Sequence, residues 1–428
     1  MRINNITNRI PVAIITLSFI AALFSQALNS LNWGHNSWQI TEWLINYRGG
    51  FVRRGLPGEI IHFASAQTGI HANHIAISLS ILLFILLIII LIKKASGRIP
   101  AILILSPIIL GSAANQGFVM RKDVLVILLF IVCMSILKSK LTHTTKILLI
   151  NITACIAILS HESFFFFGAP YLIFINSLNH KNLIGNEINE IRSLILSSIH
   201  FLPTIIIFFL LVTIFHGDAT TAKAINSSWI SLWRYINPNE IGIENPCAAI
   251  DAIQWPVKQG LALSFSVFTS KSIFFWLLTI VTCIYLTLTI PDETPPNGPR
   301  HTHNRNKFAA ILTMQIICIS PLFVLGWDFG RWIFLWTVSS IVIYLYDFNQ
   351  PFLLEAISKK AEPIVDSVFK PNKASIWILL FFGVPVCCWS SLGYIASTPI
   401  GSMIISFKLG HFAKTILLNL GLTLFKAM

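Results

Sequence analysis

An all-α membrane protein, a polytopic helical bundle, is the fold class this chain predicts, on three observations. Hydrophobic residues make up 55% of its 428 positions, charged residues only 11%, and mean hydropathy is +0.75, far from the balance of a soluble domain of this length. Apolar stretches of about 15 to 22 residues recur between short polar segments, and each long one can cross roughly 30 Å of hydrocarbon as a helix. Basic residues also alternate in density from loop to loop, as in a chain threaded back and forth through a bilayer.

Taken in order, the apolar stretches predict eleven transmembrane helices, with ten or twelve as neighbouring counts: 11–31, 74–92, 99–118, 123–137, 147–160, 163–179, 193–215, 272–290, 308–325, 331–347 and 375–395. Together they make residues 1–428 a single integral membrane domain. The first stretch is long, lacks an obvious small-residue cleavage site and is followed by further spans, so it is expected to stay as a signal anchor. The tail, about 397–428, spaces Lys408, His411, Lys414 and Lys426 among apolar residues and fits either a twelfth span or an interfacial helix.

With the amino terminus inside, the inside loops hold seventeen basic residues and the outside loops ten, with three more after position 400. That bias obeys the positive-inside rule and predicts a multi-pass membrane protein with its loops 32–73 and 216–271 on the non-cytoplasmic side. Eleven of the inside residues are lysine, whereas six of the ten outside ones are arginine, the side chain suited to bidentate phosphate or carboxylate contact. The net charge of +13 is thereby a topology signal, and no nucleic-acid partner is required by it. Seven cysteines show neither a disulfide framework nor zinc spacing, so no metal and no cofactor are expected.

The most informative run is Arg48-Gly49-Gly50-Phe51-Val52-Arg53-Arg54-Gly55-Leu56-Pro57-Gly58-Glu59 in the first outside loop. Arg48, Arg53 and Arg54 oppose the usual charge bias there, which points to a ligand, and a phosphate is the natural one at that depth. The glycines let the backbone turn and aim N–H groups at an anion, while Pro57 is placed to start a helix with Glu59 in its first turn. Snorkelling of the arginines to lipid headgroups is the competing reading.

The other outside turns each add ionisable groups. In Arg121-Lys122-Asp123, Arg121 is a second candidate phosphate contact held by Asp123, which also favours the dipole of the helix it begins. His161-Glu162 sits between two very apolar segments, where an unpartnered ionisable pair is costly. Either residue is a candidate general base, because apolar surroundings raise a carboxylate pKa and a neighbouring Glu orients a His. The long loop 216–271 carries Asp218, Trp229, Trp233-Arg234-Tyr235, Glu240, Glu244, Asp251 and Trp255, an interleaving of aromatic faces and carboxylates that suits sugar rings or an interfacial helix. In Gly326-Trp327-Asp328-Phe329-Gly330-Arg331, Asp328 and Arg331 are one helical turn apart and form either a local ion pair or part of a shared site.

Every Arg/Asp/Glu/His motif thus lies on one expected face, and that face has no ATP or nucleotide sugar. A donor used there must arrive already activated, and a lipid-linked diphosphate sugar reached from the bilayer fits. Arginines would stabilise the departing diphosphate, and a carboxylate or histidine would deprotonate the attacking hydroxyl.

On these residues the chain resembles bacterial inner-membrane proteins encoded with surface-polysaccharide genes. The shared marks are the Gly-Gly-Phe-Val-Arg-Arg-Gly run, the Arg121-Lys122-Asp123 turn, the His161-Glu162 turn and Asp328-x-Gly330-Arg331. It is most similar to O-antigen or capsule repeat-unit polymerases of the Wzy type, over roughly 40–335. The resemblance implies transfer of a growing glycan from undecaprenyl diphosphate onto another lipid-linked unit, with a flippase and a chain-length regulator as partners. It places Arg53, Arg54, Arg121 and Arg331 near the diphosphate and His161 or Glu162 as base. One departure is that no arginine here has glycine at the Arg-x10-Gly spacing often found in such polymerases.

Two other classes remain. A membrane glycosyltransferase of the GT-C type, adding one sugar from a polyprenyl-phosphate donor, usually carries an acidic residue or pair in its first outside loop, where this chain offers Glu42 and Glu59. A lipid-linked glycan transporter predicts charges within the spans, which stretches such as 74–92 and 193–215 lack.

Overall fold

The computed structural model describes residues 6–30, 37–95, 98–184, 190–230, 232, 245–290, 299–346, 352–387 and 389–406. Arg234, Glu240, Glu244 and the tail beyond 406 lie outside the described residues. Every regular element among the described residues is helical. Six helices are long and apolar enough to cross a bilayer: Arg9–Ser30, Ala72–Ala95, His143–Ser160, Ser270–Thr289, Arg305–Leu325 and Phe329–Tyr346. The chain is a helical membrane protein.

The other expected spans are interrupted or shorter, for reasons visible in their residues. In 99–118 the helix Ala101–Leu105 stops at Ser106, whose extended backbone (φ −69°, ψ 164°) is what the following Pro107 demands, and a second helix runs Leu110–Gln116. In 193–215 the helices ending at His200 and beginning at Leu202 meet at 67°, with Pro203 inside the first turn of the second. Phe164–Phe167 and Ala169–Ile184 are separate helices about Gly168, and helix Ala374–Phe381 ends at an extended Phe382 ahead of Pro385. Asp123–Lys138 is one continuous helix, with Asp123 in its first turn and Lys138 in its last, each at the favourable end of the dipole.

The chain folds as two compact units assembled from interleaved segments. One comprises Met1–Leu28, Ile88–Phe118 and Leu261–Met428. Its pillar is the helix Phe329–Tyr346, buried on every face, as its all-round apolar surface requires. Its polar groups are matched one by one: Trp336 Nε1 donates to the Leu312 carbonyl at 2.8 Å and Thr337 Oγ1 to that of Ile108 at 2.7 Å. Gly330 lies so close to Pro385 that a Cβ would stand 1.8 Å from its carbonyl oxygen.

The second unit comprises Asn29–Leu87 and Val119–Gly260 and holds most of the ionisable motifs. Helices Asp123–Lys138 and His143–Ser160 form a hairpin, the latter capped by Thr142, whose hydroxyl accepts from the Thr145 N–H. The phenylalanine run is core: Phe164 and Phe167 pack edge-to-face on Phe130 at 6.3 and 5.7 Å, and Phe165 stacks on Phe208 at 3.8 Å. Two short helices, Trp38–Trp43 and Gly55–Thr68, sit on this hairpin's side of the unit and are fixed together by Gly58, where any Cβ would stand 1.9 Å from the Ile45 carbonyl oxygen.

Candidate functional site

Six charged or ionisable side chains from three segments of the second unit converge: Glu42, Arg53 and Arg54, Lys122, and His161 and Glu162. The helix Trp38–Trp43 starts at the Ser37 cap and presents Glu42, one residue before Trp43, whose indole N–H donates to the Met120 carbonyl at 2.6 Å. That bond ties the first loop to the turn carrying Lys122. The His161-Glu162 turn follows the helix His143–Ser160, where the His161 N–H closes on the Ala157 carbonyl.

Arg54 is the hub. Its Nε donates to both Glu162 oxygens, at 3.0 and 2.8 Å, its Nη2 also donates to Glu162 Oε1, and its Nη1 lies 3.8 Å from Glu42 Oε1. The two partners are thus joined across 108 residues of sequence. Arg54 adopts left-handed backbone (φ 63°, ψ 7°) as the residue before helix Gly55–Thr68, a conformation that costs a non-glycine residue about 1 kcal/mol. It is held there from behind, because the Lys122 ammonium donates to the Arg54 carbonyl at 2.7 Å. Arg53 Nη1 lies 3.9 Å from Glu162 Oε1, and Arg53 Nη2 donates to the Ala252 carbonyl at 3.3 Å.

The histidine's hydrogen bonds assign its tautomer. The Ser163 N–H donates to His161 Nδ1 at 3.1 Å, so the ring proton belongs on Nε2, which lies 3.2 Å from Glu42 Oε1. Glu42 and His161 are both fully buried. Burial alone would raise the Glu162 carboxyl, but the Arg54 guanidinium first, with Arg53 behind it, outweighs it and holds the group well below the usual carboxylate range. The expectation that apolar surroundings raise the pKa of a base here is therefore reversed for Glu162.

Lys122 is the member of the cluster that sequence reasoning passed over. It is completely buried, and desolvation pushes its ammonium down to about 7 against the attraction of Glu42. The sign of the consequence follows by linkage: between about 7 and the ordinary value of 10.5 the unfolded chain binds the proton and the folded chain does not, so stability rises with pH across that window. We expect thermal unfolding of the wild type to gain about 1.4 kcal/mol per pH unit there relative to Lys122→Met. Parallel pH curves for the two proteins would show that the ammonium is not buried.

The remaining candidates sit as follows. Arg48 Nη2 pairs with Glu59 Oε1 at 3.1 Å, and Glu59 Oε2 accepts from the Tyr47 N–H at 3.1 Å, bracing the loop from within. The helix begins at Gly55, two residues before Pro57, which puts Glu59 beyond the first turn. The N–H groups of Gly50, Arg53 and Gly55 donate to the carbonyls of Tyr47, Phe215 and Val52, so this loop spends them on its own folding instead of on an anion cradle. Arg121 and Asp123 are both buried beside Lys122 in the chain. Asp218 is exposed and caps helix Ala219–Ile230, accepting from the Thr221 N–H at 2.7 Å, which with Thr220 lowers its carboxyl to about 2. Arg331 and Asp328 belong to the other unit and pair with each other at 2.7 Å. Trp229 is core, its indole N–H donating to the Leu44 carbonyl at 2.7 Å. Among the described residues no three His, Cys, Asp or Glu side chains are grouped to hold a metal ion.

A buried carboxylate–histidine pair beside an arginine–glutamate pair, at the end of membrane-length helices, is the chemistry this unit concentrates. Comparison with protein families, curated proteins and solved structures finds no match to the chain.

Proposed function

We propose that this cluster is a glycosyl-transfer site that polymerises undecaprenyl-diphosphate-linked repeat units into surface polysaccharide, on the periplasmic face of a bacterial inner membrane crossed about eleven times. The observation that carries the reading is the meeting of Arg54 and Glu42 of the first loop with His161 and Glu162 of another, two separate loops of one expected face. Arg53 and Arg54 are the cations for the diphosphate, with Glu162 occupying them until an anion of higher charge replaces it. The acceptor hydroxyl oxygen attacks the anomeric carbon, the bond from that carbon to the diphosphate oxygen breaks with its electron pair, and the hydroxyl proton passes to a base.

Glu42 is the better base. His161 has Nδ1 engaged by a backbone N–H and its own proton on Nε2, 3.2 Å from Glu42 Oε1, so it has no lone pair free for the substrate. The buried Glu42 is also the specific observation favouring the second reading, a GT-C-type transferase adding one sugar from a polyprenyl-phosphate donor, since that class places an acid in its first outside loop.

Deleting the gene and examining the surface glycan separates the two readings. A polymerase leaves single repeats on the lipid carrier and no ladder of longer chains, with the flippase and chain-length regulator still present. A single-sugar transferase leaves a repeat unit or branch lacking one residue, visible by mass spectrometry of the released glycan. An unchanged ladder of unchanged composition removes both.

A further inference from the structure

Beside the ionic cluster, two indoles and two polar side chains are fixed in a corner that the transfer chemistry above does not use. Trp38 opens the helix that carries Glu42, and Trp255 follows the short helical turns Ala248–Asp251 and Ala252–Gln254. The rings meet edge-to-face, centroids 5.9 Å apart at 67°, and both are half-buried. Trp255 is held by its polar edge: its indole N–H donates to Asp251 Oδ2 at 3.1 Å, while the Gln254 amide donates to Asp251 Oδ1. A carboxylate can accept about four hydrogen bonds, so Asp251 keeps acceptor capacity next to a locked aromatic face.

This corner is fastened to the cluster at two points. The Ala249 N–H donates to Thr41 Oγ1 at 3.1 Å, adjacent to Glu42, and the Ala252 carbonyl accepts from Arg53 Nη2 at 3.3 Å. Trp38 precedes Glu42 by about one helical turn, roughly 5.4 Å along the axis, a distance of the order of one sugar ring.

We propose that Trp38, Asp251, Gln254 and Trp255 form a saccharide subsite, holding the sugar next to the one that reacts at Glu42. A pyranose presents an apolar C–H face and a rim of hydroxyls. A rigid indole stacks on the face, and the Asp251 carboxylate and Gln254 amide reach the rim. Rigidity matters because an immobilised aromatic loses little conformational entropy on binding. The aromatic-and-acid composition of the 216–271 loop takes a definite form here: Trp229 is consumed by the core, whereas Trp255 stays half-buried, three residues after the Ala252 carbonyl that accepts from Arg53. The subsite rests on the glycosyl-transfer reading, and the test therefore reads the two separately.

The test uses the full chain purified in detergent and two probes, inorganic diphosphate and the repeat-unit oligosaccharide released by mild acid from the host's lipid-linked pool. Binding is followed by calorimetry. The wild type is expected to bind both. Trp255→Ala and Trp38→Ala are expected to weaken the oligosaccharide about tenfold and leave diphosphate affinity unchanged. Trp255→Phe, which keeps a flat ring, retains most of the saccharide affinity and guards against misfolding as the cause. Unaltered saccharide binding in Trp255→Ala, or equal loss of both probes, overturns the subsite. A wild type that binds diphosphate but no oligosaccharide overturns it alone, while binding of neither removes the glycosyl-transfer reading and the subsite with it.

Discussion

Arg54→Ala is expected to leave cells with lipid-linked single repeats and no long-chain surface glycan, and to weaken the fold as well. Two effects coincide at this residue. The guanidinium is the fork that neutralises Glu162 and approaches Glu42, so its removal strands two carboxylates inside the unit. Breaking such a pair costs about 3 kcal/mol, the low end of the range for buried partners, because a quarter (25%) of the Arg54 side chain is exposed. The backbone contributes separately, since position 54 is left-handed and strained for any residue with a Cβ. Arg54→Gly separates these contributions: it relieves about 1 kcal/mol of strain while still deleting the guanidinium. Arg54→Gly should therefore accumulate better than Arg54→Ala and be equally devoid of polymer. A normal chain-length ladder from well-expressed Arg54→Gly would sink the proposed role of the arginine, whatever Arg54→Ala does.

The class of protein, a helical membrane protein, was legible from composition, because burial in lipid imposes hydropathy that no other constraint mimics. His161 and Glu162 stood out for the same reason, being ionisable groups between very apolar flanks. The breaks within the expected spans 99–118 and 193–215 also have local signals, Pro107 and Pro203, but a hydropathy window averages over a single proline. What could not be read was pairing. Glu162 was expected as a base with a raised pKa. Only the fold reveals that Arg54, distant in sequence, holds its carboxyl well below the usual range. Lys122 looked like a topological charge beside Arg121, and nothing in its neighbours announces that its stem threads the core to reach the Arg54 carbonyl. Glu42 was one of two acids in the first outside loop. Its burial depends on Trp43 anchoring the helix Trp38–Trp43 to Met120, a contact between segments that no periodicity encodes.

Glu42→Gln is the second variant with a large expected effect, and it decides which group takes the proton. Glutamine keeps the volume and one acceptor of glutamate but cannot serve as a general base at neutral pH, so sugar transfer should fall by about 10²–10⁴-fold. Anion binding should move the other way. Glu42 lies 3.8 Å from the Arg54 guanidinium, and discharging it leaves the cations less compensated, so inorganic diphosphate should bind at least as tightly as to the wild type. A stability loss alone cannot produce that split between transfer and binding. His161→Gln, by contrast, removes only the ring whose Nε2 lies 3.2 Å from the carboxylate, and a smaller loss of transfer with unchanged diphosphate affinity is expected. Were Glu42→Gln to transfer sugar normally while His161→Gln was inert, the proton would belong to the imidazole. The Ser163 N–H would then have to leave Nδ1 during the reaction, because with that bond in place neither ring nitrogen has a lone pair for the substrate.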